Sequence, residues 1–141
     1  MKVSLISLDR FNWELYINLS LSEAQTGFVP PILYSLAQAN FEALTPLGIN
    51  ADNVPVGFAM YGIFGGIAWI NRFMIDQDFQ GKGVGKAALQ LLIERLKKEP
   101  QCQEIRTSYA KNNTNAALLF ASLGFQEINH TLAEEIVAVL S

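Results

Sequence analysis

Residues 76–89 read Asp-Gln-Asp-Phe-Gln-Gly-Lys-Gly-Val-Gly-Lys-Ala-Ala-Leu, and no other stretch so narrows the folds open to this chain. The run ends an apolar strand pattern, crowds three glycines into a turn and opens a long amphipathic helix. Strand, glycine turn and helix together make the first half of an α/β unit. Successive N–H groups of such a turn converge on one point. The first turn of the helix adds four unpaired N–H donors and the positive end of the macrodipole. A phosphate or pyrophosphate suits that field.

Two better-known glycine motifs fit poorly. Setting Gly85-Lys86 at the Gly-Lys step of a P-loop puts Gln80 where a glycine is required and Ala87 where a magnesium-binding hydroxyl is required. That argues against a nucleotide triphosphatase. Residues 83–88 do read G-x-G-x-x-A, as in dinucleotide sites, but the ribose-binding carboxylate due at the end of the next strand is missing. That strand reads Ile-Arg-Thr-Ser-Tyr-Ala over 105–110 and runs on into Lys111 and Asn112.

Periodicity supplies the remaining elements. A first strand is expected over 3–8 and a short helix over 11–19, with Trp13, Leu15, Tyr16 and Leu19 at helical spacing and Asp9 placed to cap it. Pro30-Pro31 can start a helix but not continue one, so 32–42 is the next helical segment. Strands follow over 43–49, 56–63 and 67–75, the last after a Gly65-Gly66 turn, and all three are apolar on both faces, as in a sheet covered on both sides. The helix behind the glycine turn spans 83–99 and stops at Pro100, with Val84, Ala88, Leu91, Leu92 and Leu96 on its inner stripe. A strand over 105–109 should lie parallel to 67–75, because a strand, helix, strand unit closes with one hand. A helix over 114–123 stops at Gly124, and strands near 125–129 and 134–140 close the chain.

At 141 residues and 50% hydrophobic content, one compact domain over 1–141 is expected. No apolar run approaches the ~20 residues of a membrane helix, and no signal-peptide core follows Met1-Lys2-Val3, so a cytoplasmic protein is expected. Cys102 is the one cysteine and His130 the one histidine, which leaves no disulfide and no metal-ligand set to predict. A net charge of −3 argues against non-specific nucleic-acid binding and accords with a cationic substrate.

The turn of Gln80, Gly83 and Gly85 has the form Q-x-x-G-x-G/A, and in it the chain resembles the GNAT superfamily of acyl-CoA-dependent N-acetyltransferases. A second segment agrees: Asn113-Thr114-Asn115-Ala116 opens a helix that ends in Leu123-Gly124-Phe125, in the order and spacing of that family. The run Arg72-Phe73-Met74-Ile75-Asp76, residues 34–39 (Tyr-Ser-Leu-Ala-Gln-Ala) and the closing 135–140 are similar to the bacterial spermine/spermidine acetyltransferases.

The resemblance implies a GNAT fold of the α/β (α+β) class. Its central sheet is mixed but mostly antiparallel, is splayed between strands 4 and 5, and carries helices on both faces. It implies acetyl-CoA as cofactor, bound by backbone groups of Phe73, Met74 and Ile75 along pantetheine, by Gln80, Gly81, Lys82, Gly83, Val84, Gly85 and Lys86 at the pyrophosphate, and by Asn113 and Phe120 beyond. Lys82 and Lys86 also read as ordinary surface lysines, and Asn113 also reads as a helix cap. The irregular region over 20–42 would select the acceptor, with Glu23, Tyr34 and Tyr61 as substrate-binding residues. A polyamine or other small primary amine is the first acceptor, and a protein amine or aminoglycoside-like compound the alternative. Exposed strand edges near the C-terminus suggest a homodimer.

Acetyl transfer to an amine needs a neutral amine, stabilisation of the developing oxyanion and a proton for the leaving thiolate. For the oxyanion, the N–H of Met74 or Ile75 at the end of the 67–75 strand is the candidate. For the amine's proton, Glu23, Glu42, Asp52 and Asp76 are the acids near the expected cleft, and nothing in the sequence chooses among them. For the thiolate there is a departure. Where many members of the family have a tyrosine, this chain aligns Phe120, which has no proton to donate. Tyr109 on the neighbouring strand is the substitute catalytic candidate, with a half-buried structural tyrosine as the alternative. That departure keeps open a non-catalytic acyl-CoA-binding or regulatory domain.

Overall fold

The computed structural model describes residues 1–20 and 30–140. Seven strands form one sheet: β1 (Val3–Ser7), β2 (Thr45–Ala51), β3 (Val54–Phe64), β4 (Ile67–Ile75), β5 (Glu104–Tyr109), β6 (Gln126–Leu132) and β7 (Glu135–Leu140). Three α-helices accompany them: α1 (Ile32–Glu42), α2 (Val84–Lys97) and α3 (Thr114–Ser122). The sheet order is β1-β2-β3-β4-β5-β7-β6, and every neighbouring pair is antiparallel except β4 and β5. The mixed α/β architecture expected from the sequence is therefore present, with the parallel pair joined through α2. Among the described residues no helix is long and apolar enough to cross a membrane.

Two cores lie on opposite faces. On one, Val84, Ala88, Leu89, Leu92 and Leu96 of α2 and Phe120 of α3 meet Leu47, Ile49, Ala59, Ala68, Ile70 and Ile105 of the sheet. On the other, Ile32 and Ala39 of α1 pack on Phe58, Met60 and Met74. Each full burial of such a side chain contributes roughly 1.5–3 kcal/mol, so α2, with six buried positions, is the main clamp on the sheet. Leu91, read as part of its inner stripe, is only partly covered, and Leu89 and Ile93 are buried instead.

Turns follow local chemistry. Gly65 and Gly66 take φ of +58° and +85° between β3 and β4, and Asp52 and Asn53 take +50° and +66° between β2 and β3, the left-handed values that two-residue hairpins require. Because the second turn uses Asp52-Asn53, β2 and β3 extend further into it than the sequence reading of 43–49 and 56–63. Ala43, read as strand, is instead the left-handed cap of α1 at φ +56°.

The expected helix over 11–19 is reduced to a single 3-10 turn at Trp13–Leu15. Asp9 does serve its start, its Oδ1 accepting from the N–H groups of Phe11 (2.8 Å) and Asn12 (3.2 Å). The continuation is lost because Tyr16 drops onto the sheet. Its ring lies 2.3 Å from where a Cβ on Gly48 would stand, and its hydroxyl donates to Asn50 Oδ1 at 2.6 Å. Burial of that ring outweighs helix propensity, which is at most about 1 kcal/mol per residue for anything but proline.

Candidate functional site

β4 and β5 pair over only four steps, from Ile67 opposite Glu104 to Ile70 opposite Thr107. There the strands part. The cause lies in β4 and its other neighbour: Tyr61 pairs with Ile70 and Met60 with Arg72, so Asn71 is an extra residue, a β-bulge that bends the strand away. Buried Thr107 closes the fork, its Oγ1 donating to the Ile70 carbonyl at 3.1 Å. Beyond it opens a cavity of about 560 Å³ lined by Asn71, Arg72 and Phe73 of β4, Ser108 and Tyr109 of β5, Asn113, Ala116 and Phe120 around α3, Glu135 of β7, and Pro30 and Pro31.

Past the bulge the peptide groups of β4 alternate. Asp76 N–H donates to the Val56 carbonyl of β3, so residues 74 and 76 turn toward β3 and residues 73 and 75 toward the gap. The gap-facing carbonyl of Ile75 accepts from Gln80 Nε2 at 2.8 Å, which ties the glycine turn to the strand end. Phe73 and Ile75 therefore offer backbone groups to the gap. Met74 does not: its peptide belongs to the β3 side and its side chain to the α1 core. Here the sequence reading of three consecutive residues is corrected by strand alternation.

The turn itself is shaped for close approach. A 3-10 turn at Gln77–Phe79 leads into Gly81 and Gly83, at φ +75° and +81°, and a Cβ on either would meet no protein atom within 4 Å. Gly83 is the N-cap of α2, and the first bond into that helix turn is Ala87 N–H to Gly83 O at 3.1 Å. The N–H groups of Gly83, Val84, Gly85 and Lys86 thus precede the helix ladder, and the exposed ammoniums of Lys82 and Lys86 make no ion pair among the described residues. Lys82 lies over the Phe79 ring at 5.4 Å. This donor set fits a pyrophosphate, and the gap between β4 and β5 fits an extended chain with amides along it.

α3 forms the far wall. Asn113 Oδ1 accepts from Ala116 N–H at 3.2 Å, so the asparagine caps the helix and lines the cavity at once. At the other end Gly124 takes φ +97°, with Phe125 N–H bonded to Phe120 O and Gly124 N–H to Ala121 O, each at 3.1 Å. This Schellman closure presses Phe125 onto Phe120, with ring centroids 5.1 Å apart. Phe120 also meets Phe73 edge-on at 6.3 Å and stacks on Tyr109 at 6.1 Å.

Tyr109 turns its hydroxyl away from this cluster and donates to Glu127 Oε1 of β6 at 2.9 Å. Burial, then the bond to Glu127 and that carboxylate's charge, push its phenol well above the ordinary value. A phenol so raised is a weak acid at neutral pH.

The candidate substrate residues fare differently. Glu23 lies outside the described residues. Tyr34 is exposed on α1 and does not line the cavity, though it is near enough to influence Arg72 electrostatically. Tyr61 is corrected to a core residue: it is 6% exposed and packed with the cluster under α2, because the pleat of β3 turns it to that face.

None of the three described acids weighed from the sequence lines the cavity. Asp52 accepts from Lys2 N–H at the β2–β3 turn. Asp76 is spent on structure, its Oδ1 accepting from Asp78 N–H (3.0 Å) and its Oδ2 from Ser20 N–H (2.8 Å). Glu42 ends α1, in the solvent.

Two residues in the cavity wall had not been singled out for a role. Arg72 donates to Ser35 Oγ (3.2 Å), the Asn71 carbonyl (2.8 Å) and Gln38 Oε1 (2.8 Å), lashing α1 to the bulge, and burial lowers its pKa from the ordinary value. Glu135 accepts from Ser108 Oγ at 2.8 Å. Both open runs that carry the resemblance to the polyamine acetyltransferases, but nothing local in the sequence brings them together, because the fork that unites them joins β4, β5 and β7.

Comparison with known proteins agrees with this geometry. The model of the Acetyltransferase (GNAT) family matches residues 12–125. The spermine/spermidine N(1)-acetyltransferase of Bacillus subtilis is 32% identical over 135 residues, 89% of each chain. In fold, the chain is similar to an aminoglycoside acetyltransferase solved with coenzyme A and kanamycin (TM-score 0.79, 18% identity, covering 99% of this chain and 95% of that one). It is also similar to the spermidine N-acetyltransferase of Vibrio cholerae solved with CoA and spermine (TM-score 0.74, 16% identity, covering 97% and 92%).

Proposed function

The chain belongs to the GNAT acetyltransferase family, and on that premise we propose that it transfers the acetyl group of acetyl-CoA to a primary amine of a small acceptor, a polyamine first, by direct attack of the amine on the thioester. It is an acetyl-CoA-dependent acetyltransferase, and the cosubstrate supplies an activated acyl group on a thiolate leaving group. The observation that carries the acceptor reading is the 32% identity, over 89% of each chain, to the Bacillus spermine/spermidine enzyme.

In this reading the residues divide the work. The N–H groups of Gly81, Gly83, Val84, Gly85 and Lys86, with the Lys82 and Lys86 ammoniums, hold the pyrophosphate, while Gln80 anchors the turn to Ile75. Backbone groups of Phe73 and Ile75 hold pantetheine as a strand-like element in the gap. One of their N–H groups polarises the thioester carbonyl where negative charge develops, a kind of contribution worth roughly 10²–10³-fold in rate. Asn113 keeps its amide nitrogen for the cofactor while its oxygen caps α3. Phe120 and Tyr109 supply an apolar wall that excludes water. The thiolate takes its proton from the attacking nitrogen, which must lose one as the C–N bond forms and the C–S bond breaks.

We read the chain as a single-domain cytoplasmic enzyme. Its outermost strand β6, exposed along its whole length, supports pairing of two copies.

The test is acetyl-CoA-dependent thiol release across spermidine, spermine, small diamines, lysine peptides and aminoglycosides, with a thermal-shift titration of acetyl-CoA alongside. Turnover on the polyamines is expected. Turnover confined to aminoglycosides or lysine peptides would move the acceptor, and cofactor binding without turnover on any amine would overturn the proposal in favour of a binding role.

A further inference from the structure

Among the described residues the cleft has one carboxylate in its wall, and it belongs to none of the segments that a helix, turn or glycine pattern marks. Glu135 is the first residue of β7, directly after the Ala133-Glu134 turn, whose two residues take φ of +49° and +68°. β7 pairs with β5 from Ile105 opposite Leu140 to Tyr109 opposite Ile136, which brings Glu135 level with the stretch of β5 that has already left β4. Ser108, on that stretch, donates its hydroxyl to Glu135 Oε1 at 2.8 Å and so fixes the carboxylate at the cavity wall.

Its second oxygen has no hydrogen-bond partner among the described residues. Nor is its charge neutralised by contact. Among the described residues the one cation lining the same cavity is Arg72; the Glu135 charge acts on it and opposes the lowering of its pKa by burial, but its guanidinium hydrogen-bonds to Ser35, Gln38 and the Asn71 carbonyl rather than to Glu135, and the one ion pair among the described residues is Arg106 with Glu104, elsewhere on the sheet. A partly buried carboxylate with one oxygen oriented and the other open is built to receive a cation that donates hydrogen bonds.

We propose that Glu135, oriented by Ser108, is the acceptor-binding residue of this enzyme: it takes the ammonium group of the incoming amine at the β4–β5 fork. The proposal rests on the amine-acceptor reading above and deepens it. Arg72, which lines the same cavity on β4, adds a constraint on the ligand. A second ammonium near it is repelled, so a polyamine runs from Glu135 outward past Pro30 and Pro31 rather than across the cleft. Glu135 thereby selects cationic amines over neutral ones.

The experiment compares wild type with Glu135→Gln, which keeps size and a hydrogen-bond acceptor for Ser108, and with Ser108→Ala. A charge-assisted hydrogen bond is worth about 1.5–3 kcal/mol, so KM for spermidine should rise about 10–100-fold in Glu135→Gln. The same variant should leave KM for acetyl-CoA and the thermal shift by acetyl-CoA unchanged. Ser108→Ala should show a smaller rise of the same kind. Unchanged KM for spermidine in Glu135→Gln overturns the proposal. Calorimetric titration of spermidine into the CoA-saturated proteins separates it from the transferase reading. If wild type binds and Glu135→Gln does not, the site stands even where no turnover is found. If both bind alike, or neither binds, the site is refuted whatever the turnover.

Discussion

Replacing Phe120 by tyrosine adds a single hydroxyl, and the structure limits both its cost and its benefit. The ring is 4% exposed, stacked on Tyr109 and met edge-on by Phe73 and Phe125, yet it lines the cavity at the fork. A hydroxyl trapped between those rings without a partner would cost about 1–3 kcal/mol; one that opens into the cavity keeps water or the thiolate as partner and costs far less. At roughly 4 °C of melting temperature per kcal/mol for a domain of this size, the two placements differ by about 4–12 °C in the free protein.

The benefit is a positioned proton donor where the chain now has none, and general acid catalysis contributes typically ~10²–10⁴-fold when the proton transfer is limiting. The expected result for Phe120→Tyr is a rise in kcat of at least about tenfold on the best amine, with unchanged KM for acetyl-CoA and a new alkaline limb in the pH–rate profile as the phenol ionises. Thiol release at saturating amine, measured across pH and in heavy water, reads all three. A variant that melts within about 4 °C of wild type, binds acetyl-CoA normally and turns over no faster would refute the reasoning. Protonation of the thiolate would then not limit the rate.

Gly83→Ala, at φ +81°, should strain the turn by about 1–2 kcal/mol and weaken acetyl-CoA binding about tenfold or more in a thermal-shift or calorimetric titration. Gly85→Ala is the contrast: its Cβ would meet Ile75 Cγ1 at 3.6 Å and Leu119 Cδ2 at 3.9 Å, ordinary contacts, so it should retain binding and stabilise α2 by up to about 1 kcal/mol. Equal loss in both variants would remove the anion cradle as the reason for these glycines. Tyr109→Phe should leave kcat within about threefold, since its hydroxyl is committed to Glu127 and its pKa is raised; a loss of about 10² would restore Tyr109 as the acid. A raised phenol stabilises the fold fully below its unfolded value of about 10 and loses that contribution as pH climbs through the folded value, so Tyr109→Phe should also flatten the alkaline fall in stability. An unchanged alkaline limb in equilibrium unfolding would contradict this.

Much of the protein is legible along the chain because the signals that specify it are local. Gly81 and Gly83 adopt left-handed values because of their own missing side chains, Asn113 caps the helix that begins at the next residue, and Gly124 closes α3 through bonds that span six residues. Alternation and helical spacing likewise placed α1, α2, α3 and β4 with small errors at their ends. Where local preference met a distant demand, it lost: Tyr16 gave up a helix to fill the space over Gly48, and Tyr61, read as a substrate contact, went to the core. The acceptor end of the site is wholly a matter of tertiary structure. The bulge at Asn71 is visible only as a mismatch between β3 and β4, and β7 sits between β5 and β6 although it follows both in the chain. Strand order and register are set by pairing energies between segments far apart in sequence, which no window of neighbouring residues contains. The sequence by itself determined the glycine turn and N-cap at the head of α2, where N–H donors suited to an anion converge; only the assembled sheet decided that Glu135 would stand with Ser108 in the wall of the fork.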